Sequence, residues 1–198
     1  MEINLDKKEI KLSKKLNQLD QFVLDFCELL DDYVIVSGYV SILFGRSRAT
    51  EDIDLIVPPM NFQKFDKLWK KIEKNGFECI NNSNSKDAFE DLNDHAIRFC
   101  RKGRPIPNME FKKASNKIHV YSLKNRIDVF IENHKFFISP IEMQIAYKLM
   151  LGKGDNKKDL EDAKHIYEIF KDKFNKDEMN RLIREFKVEK QFEIIKGE

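Results

Sequence analysis

Cysteine is scarce and odd in number. Cys27, Cys79 and Cys100 lie far apart, so neither a disulfide framework nor a CxxC zinc pattern is present, and a reducing compartment follows. Long apolar runs are missing too. No stretch approaches the roughly 18 residues a membrane span requires. The segment 1–12 is charged throughout and lacks the apolar core of a leader, so the expected location is the cytoplasm, without a membrane partner. Neither sign of charge is in excess: 36 basic against 34 acidic residues give a net charge of +2, which excludes an overall nucleic-acid footprint and makes any RNA site local. The four histidines, His95, His119, His134 and His165, show no ligand spacing and read as structural or exposed. Internal repeats and low-complexity tracts are absent.

What is there is the profile of an ordered chain. Hydrophobic residues make up 41% and charged residues 35%, which excludes a disordered or collagenous protein, and 16 phenylalanines suggest a bulky core. A length of 198 residues suits one compact domain with a helical appendage. Leu16, Leu19, Val23, Phe26 and Leu30 repeat at helical spacing after a candidate N-cap at Ser13. Tyr33 to Val36 reads as a buried strand that stops at Ser37-Gly38, followed by a short helix from Tyr39 to Phe44. Asp52 to Val57 is a second strand closed by Pro58-Pro59. Asn61 caps a helix with Phe62, Phe65, Leu68, Trp69 and Ile72 on one face, and Gly76 follows it.

Asn81 to Asp94 lacks periodicity and reads as an irregular loop. Strands are expected at Ala96 to Cys100, Ile118 to Leu123 and Arg126 to Ile131, with Lys124-Asn125 as a tight turn between the last two. The character then changes. Ser139-Pro140-Ile141-Glu142 has the form of a capping box, and helices are expected at 140–151, 156–171 and 175–187. The division is therefore a core over 1–138 and a C-terminal helical region over 139–198.

The chemistry centres on Asp52 and Asp54. Alternation along a strand sends both carboxylates to one side, while Ile53 and Leu55 point to the other. Two adjacent carboxylates repel, and a divalent cation offsets that repulsion. Magnesium, with its preference for hard oxygen ligands, suits this pair better than any His or Cys grouping in the chain, and Mn2+ is the alternative. A third carboxylate would complete a two-ion site. Asp128, set between Ile127 and Val129 in an expected strand, is the first candidate, with Glu110 and Glu132 behind it. Ser37-Gly38, where a strand turns into a helix, offers backbone N-H groups to phosphate oxygens, and Gly38 permits close approach. Arg46 and Arg48 can add forked contacts to the same oxyanion.

These segments resemble a known family. Val36-Ser37-Gly38-Tyr39 followed by Asp52-Ile53-Asp54-Leu55 is similar to the glycine-serine turn and paired-aspartate signature of DNA polymerase β-like nucleotidyltransferases. Arg48-Ala49-Thr50-Glu51-Asp52-Ile53-Asp54 resembles the Arg-x-Ser/Thr-x-Asp-x-Asp motif of the AbiEii-like, toxin-related branch. Lys148 and Lys158-Asp159-Leu160-Glu161-Asp162 look like that branch's later lysine and basic-Asp-x-x-Asp element. The glycine pair of the family is Ser37-Gly38 here, and Gly152-Lys153-Gly154 stands where an arginine is usual. The resemblance runs from Val36 to Asp162, and the region 81–117 has no counterpart in it.

The resemblance implies an α+β nucleotidyltransferase fold, a mixed β-sheet flanked by helices with a C-terminal helical region. It implies Mg2+, two ions, at Asp52, Asp54 and Asp128. It implies that Ser37, Gly38, Arg48, Thr50 and Lys148 hold a nucleoside triphosphate such as ATP, with Asp159 or Asp162 supporting the site or assisting as base. The implied acceptor is RNA, such as tRNA, or a protein hydroxyl, and the implied biological role is that of a toxin or defence enzyme. Two other readings remain: a metal-dependent nuclease on the same carboxylates, and a non-catalytic nucleotide- or partner-binding module.

Overall fold

The computed structural model describes residues 1–154 and 156–197. The elements in chain order are β1 (Glu2–Asn4), β2 (Glu9–Leu12), α1 (Gln18–Cys27), β3 (Val34–Val36), α2 (Gly38–Leu43), β4 (Asp52–Val57), α3 (Phe62–Lys74), β5 (Phe77–Cys79) and α4 (Ser85–Asp91). They continue with β6 (Ile97–Arg101), β7 (Arg104–Lys113), α5 (Lys117–Lys124), β8 (Ile127–Ile131), β9 (His134–Ile138), α6 (Ile141–Leu151), α7 (Lys157–Phe170), α8 (Lys176–Phe186) and α9 (Glu189–Lys196). The described strands form one mixed sheet in the order β1-β2-β8-β9-β3-β4-β7-β6-β5. β4 runs antiparallel to β3 and parallel to β7, so the centre of the sheet joins the aspartate-bearing strand to a strand from the uncharted middle of the chain.

Alternation on β4 and β7 sorts the two faces of that centre. Ile53, Leu55, Met109 and Phe111 are fully buried on the side of α1 and α3, where they meet Phe22, Phe26, Phe65 and Trp69. Aromatic rings dominate this layer: Phe26 meets Phe77 edge-on at 5.2 Å, and Phe99 contacts both Trp69 and Phe111. Such pairs add about 0.5–1.5 kcal/mol each beyond the area they bury. The opposite face carries only a small apolar patch, Val34, Ile56 and Ala114, with Val36 and Leu123 packed beside it. Polar side chains at Asp52, Asp54, Asn108, Glu110 and Lys112 share that face, because strand residues two apart point the same way.

Several helix starts are set by asparagine. Asn17, not Ser13, caps α1 through a capping box with Asp20, so the helix begins five residues after Ser13. Asn61 accepts from the Lys64 N-H at 2.9 Å and starts α3 where the sequence placed it. Asn84 caps α4, a helix inside the segment expected to be an irregular loop. Its polar composition hid an amphipathic turn in which Ala88 and Leu92 are buried. The expected strand at Ile118 to Leu123 is helix α5, capped by Asn116 on the His119 N-H. β8 already has partners on both sides, β2 and β9, so no edge was open for it.

The capping box at Ser139 is absent as well. Pro140 takes the N-cap position without a side-chain bond. The Ser139 hydroxyl donates instead to Gln144 Oε1 at 2.9 Å, and Glu142 Oε1 accepts from the Asn175 backbone N-H at 2.8 Å. α6 then packs on α7 and α8, and α7 reaches back to α2, which fastens the helical region to the sheet. No helix among the described residues is long and apolar enough to cross a membrane.

Candidate active site

β3 ends in a sharp turn. Ser37 takes φ +63°, ψ −133°, a conformation that L side chains rarely adopt and that surrounding structure must enforce. Gln144 of α6 supplies that enforcement. Its Nε2 donates to the Ser37 carbonyl at 2.6 Å, and its Oε1 accepts the Ser37 N-H at 3.1 Å. Gln144 is almost fully buried, so this two-pronged bond ties the helical region to the turn. The Ser37 N-H expected to face a phosphate is therefore already used. Gly38 follows, and its missing side chain makes room for Arg48: a Cβ there would lie 2.6 Å from Arg48 Nη2. Close approach is required at Gly38 as the sequence suggested, but the group that approaches is a guanidinium.

Arg48 belongs to a buried ion network. Asp162, wholly shielded, accepts from Arg48 Nη1 at 2.5 Å and from Arg46 Nε at 3.4 Å, and lies 3.1 Å from Lys148 Nζ. Lys148, 2% exposed, also binds Asp159, and Arg46 reaches Glu161. Four of the residues expected to serve the substrate, Arg48, Lys148, Asp159 and Asp162, are thus brought together, and they bond to one another. Three cations meet three carboxylates, which leaves no net charge in the cluster. The network also joins the 46–48 loop to α6 and α7.

Asp52 and Asp54 lie on β4 as the alternation predicted, Asp52 exposed and Asp54 21% exposed. The Thr50 hydroxyl lies 2.8 Å from the Asp52 carbonyl oxygen and 3.3 Å from Asp52 Oδ1. Directly opposite Asp54 on β7 stands Glu110. Lys112 lies between them, its Nζ 2.7 Å from Asp54 Oδ1 and 2.9 Å from Glu110 Oε1. Burial alone would lower the pKa of Lys112, but the two carboxylates outweigh it and raise the value, so the group is charged at neutral pH. Arg98 approaches the far side of Glu110 at 3.4 Å. Asn108, in register with Asp52, is nearly buried, and its Oδ1 has no partner among the described residues.

Asp128 does not join this group. β9 and β3 separate its strand from β4, a distance of three strand spacings or roughly 14 Å. An aspartate in an apolar strand needs a polar partner, and Asp128 finds one across its own hairpin in Lys135, at 2.5 Å. Glu132 lies in the β8–β9 turn at φ +53°. The third carboxylate on the aspartate face is Glu110, the secondary candidate.

Two cavities lie nearby, one reached by Asp54 and Lys112 and the other by the loop that carries Arg48 and Thr50. One of about 180 Å3 lies between β3, β4, α5 and α6, and is lined by Val36, Ser37, Asp54, Lys112, His119 and Tyr147 among others. Burial, and then the Lys112 charge, lower the pKa of His119, which keeps its ring neutral at pH 7. The other is a broad groove of about 620 Å3 beside Arg48 and Thr50, bounded by α1 and the β6–β7 turn, with Asp25, Arg101, Arg104 and Ile106 in its walls.

Among the described residues, no three His, Cys, Asp or Glu side chains are arranged as a ready cage for a metal ion. The donor chemistry at Asp52 and Asp54 nevertheless fits a hard divalent cation: two carboxylates two residues apart, one of them exposed, with a single lysine on one oxygen of Asp54. Sequence reasoning missed Lys112, Gln144, His119 and Tyr147. Lys112 was legible in principle, since Asn108, Glu110 and Lys112 alternate with Met109 and Phe111. Nothing in the sequence points Gln144 at Ser37.

No family model and no curated protein sequence matches the chain. Solved structures do. An antigenic nucleotidyltransferase-like protein from Paracoccidioides brasiliensis superimposes with a TM-score of 0.56 at 16% identity, over 88% of this chain and 90% of that one. ANT(2")-Ia, solved in complex with adenylyl-2"-tobramycin, superimposes with a TM-score of 0.53 at 14% identity, over 85% of this chain and 95% of that one. The chain has the nucleotidyltransferase fold, as its sequence motifs implied.

Proposed function

We propose that the chain is a metal-dependent nucleotidyltransferase that moves a nucleoside monophosphate from a nucleoside triphosphate to an acceptor and releases pyrophosphate. The observation that carries this reading is the placement of Asp52, Asp54 and Glu110 on one face of the sheet, with Asp54 lining a cavity. A fold shared with ANT(2")-Ia supports it, while fold by itself does not fix activity. Asp52 and Asp54 would hold Mg2+, or Mn2+, which supplies neutralisation of phosphate charge when bound.

The chain's own residues prepare the rest. The Ser37-Gly38 turn, with Arg48 over Gly38 and Thr50 against Asp52, borders the place of the triphosphate. Lys148, Asp159 and Asp162 act by holding Arg48 there. The smaller cavity falls below the roughly 300–1,000 Å3 of sites that enclose a whole small ligand, so it takes one part of the nucleotide and leaves the phosphates at the carboxylates.

The acceptor enters from the broad groove. Arg48 is paired with Asp162 and Arg101 with Asp25, so Arg104 adds one positive charge to its walls, a sign that suits an anionic acceptor such as RNA. With tRNA as acceptor, the AbiEii-like motif would indicate a toxin or defence role. The test incubates the protein with Mg2+, each of four α-labelled nucleoside triphosphates and either total RNA or total protein, beside an Asp52→Asn control. Label in RNA with the native chain alone is the expected result. Label in protein would overturn the acceptor, and nucleotide binding without any transfer would sink the enzymatic reading in favour of a binding module.

A further inference from the structure

Three carboxylates share the aspartate face, but the positions between them are not equally open. Asp54 and Glu110 are direct cross-strand neighbours on parallel strands, and a cation bridging them would need the oxygens that face each other. Those oxygens, Asp54 Oδ1 and Glu110 Oε1, are already bridged by Lys112 Nζ. Lys112 is two residues beyond Glu110 on the same strand, so its stem rises from the same face and its reach is set by the backbone. Displacing its ammonium would break both of its ion pairs and leave a partly buried lysine charge, 33% exposed, beside a doubly charged ion that must itself be dehydrated. The other gap differs. Among the described residues, Asp52 is exposed and has no cation on it, and its only side-chain neighbour within hydrogen-bond distance is the Thr50 hydroxyl.

Charge points the same way. Asp52, Asp54 and Glu110 carry three negative charges against Lys112 and the more distant Arg98, so a single negative charge is left over. One divalent cation at Asp52 and Asp54 reverses that excess to one positive charge, enough to attract a triphosphate. Two would leave three positive charges crowded on adjacent strands.

We infer that Lys112 takes the place of a second metal ion, so that the chain binds one divalent cation, at Asp52 and Asp54, with a fixed ammonium at the Asp54-Glu110 position. This rests on the proposed metal-binding role of the aspartates and departs from the sequence expectation of two ions. Lys112 is a positioning residue in this scheme: it holds Glu110 and one oxygen of Asp54 in place, and leaves the rest of the Asp54 carboxylate to the ion.

The test counts bound Mn2+ per chain by equilibrium dialysis and elemental analysis at saturating Mn2+, without nucleotide, with circular dichroism to confirm folding. One ion is expected in the native chain, two in Lys112→Met, where the opposed carboxylates lose their counter-ion, and one in Glu110→Gln, since Glu110 is not a ligand. Lys112→Gln gives the same reading as Lys112→Met should that variant fold poorly. Two ions in the native chain, one in a folded Lys112 variant, or none in Glu110→Gln would each overturn the inference while leaving the aspartates as a metal site. No ion in the native chain and none in the Lys112 variants would sink the metal-binding reading itself.

Discussion

Two groups of charged residues in this protein, one anticipated mainly as substrate-binding and the other as metal-binding, are built in opposite ways. In the first, Arg46, Arg48 and Lys148 meet Asp159, Glu161 and Asp162, the central members are buried, and charges cancel. In the second, Asp52, Asp54 and Glu110 share one face of the sheet, at least partly exposed, with Asp54 lining a cavity and fewer cations than carboxylates. A cancelled set has no net charge to draw a ligand and much to lose if one member is removed. An uncancelled set carries a standing repulsion that a bound cation relieves. Residue type and spacing do not separate the two cases; the partners do.

The largest effect should come from breaking the cancelled set at its most buried point. Asp162→Asn leaves Arg48 without its carboxylate and Lys148 with Asp159 alone, in a place that water does not reach. Removing one partner of a buried pair costs about 3–5 kcal/mol, and a loss at the lower end of that range is expected because Asp159 remains. Urea denaturation of the native and variant chains measures it. A loss below about 1 kcal/mol, the value of an exposed pair, would dissolve the contrast between the two groups.

A subtler break tests whether Arg48 is positioned by the glycine beneath it. Gly38→Ala places a methyl group 2.6 Å from Arg48 Nη2, and the guanidinium must move off Asp162 to make room. Overpacking of this kind costs about 1–3 kcal/mol, with the low end expected because the far tip of a side chain can yield. In an Arg48→Ala background the same substitution should cost markedly less. Equal costs in both backgrounds, measured by a double-mutant cycle in urea, would show that Gly38 answers to something other than Arg48.

How much of this was legible beforehand follows from the range of the forces involved. β4, α3 and the start of the helical region were readable because alternation, an asparagine cap and a proline act within a few residues. α5 was not, since the short segment Ile118 to Leu123, with His119 and Ser122 among its apolar residues, fits either period, and the choice was made by β8 already having two neighbours. β7 escaped notice because Pro105 and Pro107 disguise its start, although Asn108 to Lys112 alternates cleanly. With β7 missing, Glu110 had no strand to sit on and ranked behind Asp128. The aspartate pair was legible because both members lie on one strand. Its third partner depends on strand order, which local patterns do not encode.

Asp128 gives the smallest expected effect and the sharpest control. Its carboxylate pairs with Lys135, both groups are partly exposed, and its strand β8 lies three strand spacings from β4. Exposed pairs of this kind are worth about 0.2–1 kcal/mol, so Asp128→Ala should shift the urea midpoint only slightly. Nucleotide binding and Mn2+ stoichiometry should match those of the native chain, because a charge at roughly 14 Å is beyond the screening length of about 8–10 Å at physiological salt. If Asp128→Ala instead abolished Mn2+ binding while the chain stayed folded, Asp128 would have to be a ligand after all. The strand order that separates β8 from β4 would then be the feature to give up, and with it the assignment of Glu110.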